Sequence, residues 1–525
     1  MISVKLSEEK FWYDIYNIIK MFFNNDKIVL LKQSSDNSGI YADFCVKPDY
    51  LCSRLSNTGN LDYIANRLSN TGNLDDLANN NIKSNNTKNY ITENNNTENN
   101  NAESNNIESN NTESTGISFY IEIEKDCNKI VDLSVSRDNY SCYNHLTDIK
   151  KELARQVYIA LSGYTGKKLP WGMLTGVRPA KIPYEMMEKG MATEGILSEL
   201  QNYYFVSPKK ASLAYKVAET EREILKSNTK DMISLYIGIP FCKTRCYYCS
   251  FTSNCIDKNA HLIDKYIDTL KKEIQITNED IIKKEKLKIQ AIYIGGGTPT
   301  SVSDEILSDF LYFIENTLDL HYLEEYTIEA GRPDTIDREK LVTIKNSKVS
   351  RISINPQTMN PETLKAIGRN HTPEELKEAF YLAREIGFDN INMDIIVGLP
   401  GEDLSMFEHT LKEIRKMNPE NLTVHSLSIK RASKLKEDLD ILNNYKDNKG
   451  IMGNRYSRDK KGSKDYVGIL KNKYLSTDET ANAMADMAYN YALSMGMHPY
   501  YLYRQKNIAG NLENVGYSKP GFEGI

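Results

Sequence analysis

From Leu235 to Leu427 the chain repeats one pattern: a short strand-like run, then a longer stretch with apolar residues three and four apart. Runs of the first kind are Leu235–Phe241, Ile289–Ile294, Glu325–Glu329, Ser350–Ile354, Ile391–Val397 and Leu422–Leu427. Short and set between helical patterns, they read as strands of a sheet. Helical patterns lie between them, for example Leu404, Phe407, Leu411 and Ile414 behind a candidate Asp403 cap. Six such units predict an α/β fold, a parallel sheet curled into a partial (βα)6 barrel over residues 231–430. Ligands of such barrels sit at the C-terminal ends of the strands.

Residues 1 to about 230 read as a separate α+β domain. Glu8–Phe23 has apolar residues at helical spacing, and Ile117, Phe119, Ile121 and Ile123 alternate with polar neighbours as a half-buried strand does. Val131, Leu133 and Val135 repeat the alternation after Asp126-Cys-Asn128, which predicts a hairpin. Thr147–Leu161 reads as a helix stopped by Gly163, and Ser207-Pro208 as the opening of another. Within this domain Arg54–Asp62 recurs as Arg67–Asp75, followed by an Asn/Glu/Ser/Thr-rich tract. Two copies make no solenoid, and the tract lacks apolar content to offset chain entropy, so 54–115 is expected to be a disordered insertion. Residues 431–525 form a helical and mixed C-terminal extension with a polar insertion near 437–465. Its helix, capped by Ser476-Thr-Asp-Glu479, carries Met484, Met487, Tyr491 and Met495 as a stripe expected to face a core.

The totals narrow the class of protein. A net charge of −5 over 525 residues gives no bulk attraction to nucleic acid or anionic membrane. No apolar run is long enough to span a bilayer, and the N-terminus shows no signal pattern. Eight cysteines in so long a chain, three of them crowded together, do not read as a disulfide framework, so a cytoplasmic location is expected.

Those three, Cys242, Cys246 and Cys249, follow the first strand at C-x3-C-x2-C spacing with Tyr248 before the third. Three thiolates on one loop suit three irons of a 4Fe–4S cluster and leave a fourth iron open to a chelating small molecule. The competing reading is zinc with Cys255 as fourth ligand, but the second C-x2-C or His pair of a zinc knuckle is missing. Other polar motifs fall at strand ends. They are Gly295-Gly-Gly-Thr-Pro-Thr300, whose backbone can approach a ligand and offer it N–H and C=O groups, Glu329 with Arg332, Arg351–Gln357, and Asp394.

Together these motifs resemble the oxygen-independent coproporphyrinogen III oxidase family of radical S-adenosylmethionine (SAM) enzymes. Tyr236–Cys242, the glycine motif, the Gln357 segment, Gly368–His371 and Asp394–Pro400 carry the likeness. Leu169–Pro179, Glu329–Asp334 and Tyr500–Asn507 resemble the HemZ branch in particular. The resemblance implies a 4Fe–4S cluster on Cys242, Cys246 and Cys249, and SAM against Tyr236, Tyr248, Gly296, Gly297, Thr298, Glu329, Gln357, Arg369 and Asp394. It implies oxidative decarboxylation of two propionates to vinyl groups, an electron donor of reductase, flavodoxin or ferredoxin type, and a small tetrapyrrole substrate. Tyr236, Glu329 and Arg431 are the candidate catalytic residues. For the substrate's carboxylates the candidates are Lys430 and Arg431 after the sixth strand, and Arg504 and Lys506 near Tyr500–Tyr503.

The chain departs from the family at three places. Gly238 stands where the better-studied oxidases have a histidine, and Phe251 where they have a further cysteine. The chain stops at Ile525 where relatives are expected to continue. Two other readings compete: a haem-handling protein without the oxidase reaction, and a radical SAM enzyme with another substrate, such as a methyl transferase. The His-Asn-x-x-Tyr-Trp motif of haem chaperone relatives is not found; the only tryptophans are Trp12 and Trp171.

Overall fold

The computed structural model describes residues 1–6, 11–23, 26, 28–31, 118–126, 128–136, 146–251, 253–430, 432–438, 478–504 and 512–525. The expected insertion at 54–115, most of the polar stretch near 437–465, the Ser476 cap, Arg431 and Lys506 lie outside the described residues. The chain divides into two compact units, residues 1–16 with 25–153, and residues 17–24 with 154–525. The helices that follow residue 154 thus cluster with the barrel and not with the first sheet.

The first unit holds a four-stranded sheet. Its strands β1 (Ile2–Leu6), β2 (Ile28–Leu31), β3 (Ser118–Lys125) and β4 (Asn128–Ser136) are ordered β2-β1-β3-β4. The expected hairpin is β3–β4, antiparallel from Ser118↔Ser136 to Lys125↔Asn128. Ile2, Val4, Leu6, Ile121, Ile123 and Val131 are buried, the period of two expected where one face meets a core.

The second unit is built on an eight-stranded sheet. Six parallel strands run in chain order: β5 (Met232–Ile239), β8 (Lys288–Gly296), β9 (Glu325–Glu329), β10 (Arg351–Ser353), β11 (Ile391–Val397) and β12 (Asn421–Ser426). Each is followed by a helix or turn. Between β5 and β8 two very short strands, β6 (Phe241–Cys242) and β7 (Asn254–Cys255), pair with each other and tie down the cysteine loop. The edge beyond β12 is covered by β14 (Asn514–Ser518), antiparallel to β12, and then β13 (His498–Tyr503), antiparallel to β14. The expected partial barrel of six parallel strands is present, enlarged by this antiparallel pair.

Local sequence sets the helix ends. Asp403 accepts from the Met406 N–H at 2.9 Å, as its cap position predicts. Thr372 and Glu375 form a reciprocal capping box ahead of helix Pro373–Ile386, which Gly387 ends in the left-handed conformation. Ser207 precedes helix Pro208–Leu225 but its side chain makes no capping bond. Helix Asp478–Ser494 does face the core, but through a stripe of Ala481, Met484, Ala488 and Ala492. Small residues let it lie close to the sheet, which moves Met487, Tyr491 and Met495 to the half-buried flanks.

Leu169–Pro179 has a structural task. Trp171 is fully buried, and its Nε1–H donates to Glu513 Oε2 at 2.7 Å. The buried Lys210 pairs with the other oxygen of Glu513. Arg504 stacks over the Trp171 ring at 5.4 Å and donates to the Leu174 carbonyl, while its own N–H meets Val177 O at 2.7 Å. The helical segment therefore grips the chain beside β13 and β14. Removing one partner of a buried pair leaves an uncompensated charge, at a cost of roughly 3–5 kcal/mol. We expect Glu513→Leu to lower the thermal midpoint sharply and Lys210→Met/Glu513→Leu to recover most of the loss. A double variant no better than the single would show that the pair's charges are not what matters.

Candidate active site

A cavity of about 520 Å³ opens at the C-terminal ends of the parallel strands. Its inner lining includes Tyr236, Cys242, Cys246, Tyr248, Cys249, Gly296, Gly297, Thr298, Glu329, Gln357, Arg369 and Asp394. Every residue expected to meet cluster or SAM thus borders one space. Arg332, Asn355, His425, Lys430, Tyr501, Tyr503 and Asn514 complete it along with Phe251, Ile396 and Leu427.

The cysteine loop is held from outside the cavity. Tyr247 is buried in a cluster with Leu364, Ile367, Ile396, Leu399, Leu427 and Leu435. Its N–H donates to Ile367 O at 3.0 Å, and its carbonyl accepts from Leu435 N–H at 3.1 Å. Thr244 Oγ1 adds a bond to the Gly368 carbonyl at 3.2 Å. Anchored there, the loop turns back on itself through Cys249 N–H to Cys246 O, 3.1 Å, and presents its three thiols to the cavity. Cys255 does not line it; its Sγ–H points at the Lys243 carbonyl at 3.2 Å. That removes the fourth ligand of the zinc reading. Among the described residues no three His, Cys, Asp or Glu side chains converge as a single ion's ligands would. Thiolates that bind separate irons of a cluster stand further apart, so the donor set fits a cluster.

The glycine turn packs against that loop. Gly297 N–H donates to Ile239 O at 2.8 Å and Thr298 N–H to Phe241 O at 2.7 Å. These N–H groups are therefore not offered to a ligand, contrary to the expectation for the turn. What glycine permits here is close approach of the chain to itself: a Cβ at Gly297 would lie 2.5 Å from Phe241 O. Gly296, with φ of 106°, turns the chain at the strand end.

The acidic groups sit in contrasting surroundings. Glu329 opens one edge on the cavity and is otherwise enclosed; burial pushes its carboxyl up to about 7. The Tyr293 hydroxyl donates to its Oε1 at 2.6 Å and pulls the other way, while Asp394 repels the charge. Burial also works against the charge on Asp394, but the polar side chains of His425, Asn392 and Thr423 around it outweigh it and hold the carboxyl below its ordinary value. Asn392 Nδ2 reaches Asp394 Oδ1 at 2.8 Å, and His425 Nε2 lies 3.7 Å from Oδ2. Tyr236 stacks on Tyr293 at 5.8 Å, so the two rings form one platform beside Glu329.

Two guanidinium groups flank Cys246. Arg332 is clamped by Asp334 at 2.9 and 3.0 Å and reaches the Thr244 carbonyl at 3.0 Å. Arg369 Nη1 bridges the carbonyls of Gly331 and Asn355 at 3.0 and 2.8 Å. Gln357 takes a left-handed φ of 62°, and its backbone bonds to both Asp394 and Ile396. Such a conformation in a residue with a side chain costs roughly 1–2 kcal/mol, and here the two backbone bonds impose it.

Three expectations are corrected. Arg504 does not reach the cavity: it is 4 % exposed and is taken up by Trp171 and Leu174, more than 300 positions away in sequence. Arg351 begins β10 at the far end from the cavity, where it meets Tyr500 Oη at 3.1 Å and Glu325 at 3.5 Å; Asn355 and Gln357 of the same segment do reach the mouth. The core stripe of helix Asp478–Ser494 is the third. Tyr293, Asn392 and His425 were missed. Each occupies an alternate position of its strand, in phase with Gly295, Asp394 and Thr423, and that phase could have identified them.

A parallel sheet with a C-x3-C-x2-C loop after its first strand and a glycine turn after its second defines a radical SAM domain. The profile described as "Radical SAM superfamily" matches residues 236–414. The chain is 41% identical over 381 residues to the oxygen-independent coproporphyrinogen-III oxidase-like protein HemZ of Bacillus subtilis, covering 71% of this chain and 69% of that protein. It is 38% identical over 199 residues to the heme chaperone HemW of the same organism, 38% of this chain and 51% of the relative, so it spans about half of that relative's length. Among solved structures, the radical SAM coproporphyrinogen III oxidase HemN of Escherichia coli aligns at 20% identity and a TM-score of 0.41, over 55% of this chain and 56% of the other. The chain belongs to the radical SAM family of oxygen-independent coproporphyrinogen-III oxidase-like proteins. Its cofactors are those of the family, a 4Fe–4S cluster and SAM.

Two predictions follow from the site's geometry. Gly297→Ala should push the cysteine loop outward at a cost of roughly 1–3 kcal/mol, and cluster content per chain after reconstitution should fall. Unchanged iron and sulfide content would contradict it. The second concerns Glu329, whose folded-state value of about 7 exceeds the ordinary 4.5. Between those values the folded chain holds a proton that the unfolded chain has released. The stability this group contributes is thus complete below the lower value and is lost as pH rises through the upper. Glu329→Gln does not titrate and keeps an acceptor for Tyr293. Its thermal midpoint relative to the parent should therefore rise between about pH 5 and pH 8, and a flat difference would refute the assignment.

Proposed function

We propose that the chain oxidatively decarboxylates the propionate side chains of coproporphyrinogen III to vinyl groups, giving protoporphyrinogen IX. The observation that carries this reading is the gathering of three loop thiols, the glycine turn, Glu329, Gln357, Arg369 and Asp394 around one cavity with an aromatic and apolar outer wall. The HemZ relative supports the choice of substrate through the name it bears. In this reading Cys242, Cys246 and Cys249 hold the cluster. Tyr236, Tyr248, Gly296, Gly297, Thr298, Glu329, Gln357, Arg369 and Asp394 receive SAM.

When bound, cluster and SAM together supply one-electron abstraction of hydrogen from an unactivated C–H bond. Per propionate, R–CH2–CH2–COO⁻ becomes R–CH=CH2 and CO2; a proton and one electron leave together as the abstracted hydrogen atom, and the second electron passes to a one-electron acceptor. The chain's own part is positioning and exclusion of water. The Tyr236–Tyr293 platform and Tyr248 offer flat surfaces for aromatic parts of a ligand, and Glu329 offers a carboxyl beside them for ribose hydroxyls. Phe251, Tyr501, Tyr503, Ile396 and Leu427 supply the apolar wall for a macrocycle, with Lys430 among them for a carboxylate. Arg431 keeps its proposed catalytic role on sequence position alone. A flavodoxin- or ferredoxin-type donor would supply the electron, and an oxygen-sensitive cluster suits the reducing cytoplasm. Among the described residues no helix is long and apolar enough to cross a membrane.

The second reading, haem handling without decarboxylation, draws on the identity shared with heme chaperones. Anaerobic reconstitution with iron and sulfide, then addition of coproporphyrinogen III, SAM and a reductant, separates the two by product mass. We expect loss of two CO2 units per substrate, and no turnover above background in Cys246→Ala. SAM cleavage with the tetrapyrrole unaltered, together with stoichiometric haem binding, would replace the proposal by the second reading.

A further inference from the structure

A cavity that takes a multiply charged acid needs a cation not already paired with the chain. Among the described residues four basic side chains line it: Arg332, Arg369, Lys430 and His425. The guanidinium of Arg332 is committed to Asp334 and the Thr244 carbonyl, and Arg369 Nη1 to the Gly331 and Asn355 carbonyls. At 2 % and 8 % exposed, both are held beside Cys246, among the groups assigned to the cluster and SAM. Lys430 lies over the Phe251 ring, its Nζ 5.5 Å from the centroid, at the outer rim.

His425 differs from all three. It projects from β12 with its side chain 40 % exposed, and its Nε2 faces Asp394 Oδ2 at 3.7 Å. Asp394 is itself fixed, by Asn392 Nδ2 on Oδ1 and by Asn355 Oδ1 accepting from its N–H at 3.1 Å. Asn392 is in turn held by Thr423 Oγ1 at 2.9 Å. A carboxylate locked on one side of an imidazole orients the ring and leaves its other nitrogen to face a ligand. No hydrogen bond occupies the second ring nitrogen among the described residues.

We infer that His425, oriented by Asp394, is a substrate-binding residue that donates Nδ1–H to a carboxylate of the tetrapyrrole inside the cavity. The identity of the acid rests on the reading proposed above; the site itself rests on the Asp394–His425 geometry. The same donor could serve the carboxylate of SAM, and the test separates these sources.

The test uses reconstituted full-length protein and the stable probes coproporphyrin III and its tetramethyl ester, followed by fluorescence titration. The parent should bind the acid at least about tenfold more tightly than the ester, as a charge-assisted bond requires. His425→Phe should lose about tenfold on the acid and less than about twofold on the ester. His425→Gln, which keeps an N–H donor without the charge, should fall between, and SAM affinity by calorimetry should not change. Should His425→Phe fail to fold, His425→Ala carries the same comparison. Equal losses on acid and ester, no loss on either, or a loss confined to SAM would each overturn the inference, as would a parent with no preference for the acid. Decarboxylation is read separately. A parent that prefers the acid but leaves coproporphyrinogen III unaltered sinks the proposed reaction and keeps the carboxylate site. A parent that decarboxylates while His425→Phe keeps the acid preference does the reverse.

Discussion

The mouth of the sheet depends on one backbone contact, the seating of the Gly295–Thr300 turn on the segment from Ile239 to Phe241. Two N–H···O bonds and Ser301 Oγ on Phe241 O join them, with no room for a side chain at Gly297. The cysteine loop starts directly after that segment. Its position relative to β8, and through β8 to Glu329 on β9, is therefore set by main-chain geometry. A side-chain contact could relax by changing rotamer, but two short peptide hydrogen bonds pressed against a glycine cannot. Tyr247 secures the other end in its apolar cluster, so the thiols hang between two fixed points. Sites that must place several ligands to a fraction of an ångström need this kind of support.

Within that frame the chain gives two neighbouring carboxyl groups opposite characters. Glu329 has donors in Tyr293 and the Gly296 N–H but a like charge nearby, so desolvation dominates and the proton is retained up to about pH 7. Asp394 meets the same burial but is surrounded by donors from three side chains, and its charge survives. The difference lies in the alternate positions of β11 and β12, where Asn392 and Asp394 stand beside Thr423 and His425. A polar ladder across adjacent strands thus fixes which carboxyl is charged and which imidazole face points inward.

Much of this was legible in the sequence, and the reasons differ by element. The six parallel strands showed because short candidate runs alternate with helical spacing, with β9 and β11 placed to the residue. The strand-end rule selected the cysteines, the glycine turn, Glu329, Gln357 and Asp394, the family resemblance added Tyr236, Tyr248 and Arg369, and all of them border the cavity. What failed needed partners distant in the chain. Arg504 read as a substrate cation because nothing local reveals that Trp171 lies under it. Arg351 was assigned to the mouth because a strand of three residues leaves its direction unmarked in so short a motif. Tyr293 and His425 were hidden inside apolar runs, where only the phase of the pleat distinguishes a cavity-facing residue from a core one. The glycine turn was recognised, but the Gly297 and Thr298 N–H groups proved to bond the chain's own backbone.

The cavity also divides along the sequence. All the residues assigned to SAM or the cluster fall within 236–414, the span that matches the radical SAM profile. The groups that face them, His425, Lys430, Tyr501, Tyr503 and Asn514, come from beyond it. Of these, the two tyrosines and Asn514 sit on β13 and β14, strands gripped by Trp171, Lys210 and the loop after Leu169. A reactive hydrogen-abstracting centre attacks whatever C–H bond is nearest, so selectivity has to come from the wall that positions the substrate. Part of that wall comes from the C-terminal strands, stiffened by a helical segment from the front of the same unit. In the proposed reading the wall around the substrate is thus shared between Phe251 and Ile396 of the matched span and residues beyond it, and the buried Glu513 beside Asn514 ties the latter to the helical segment.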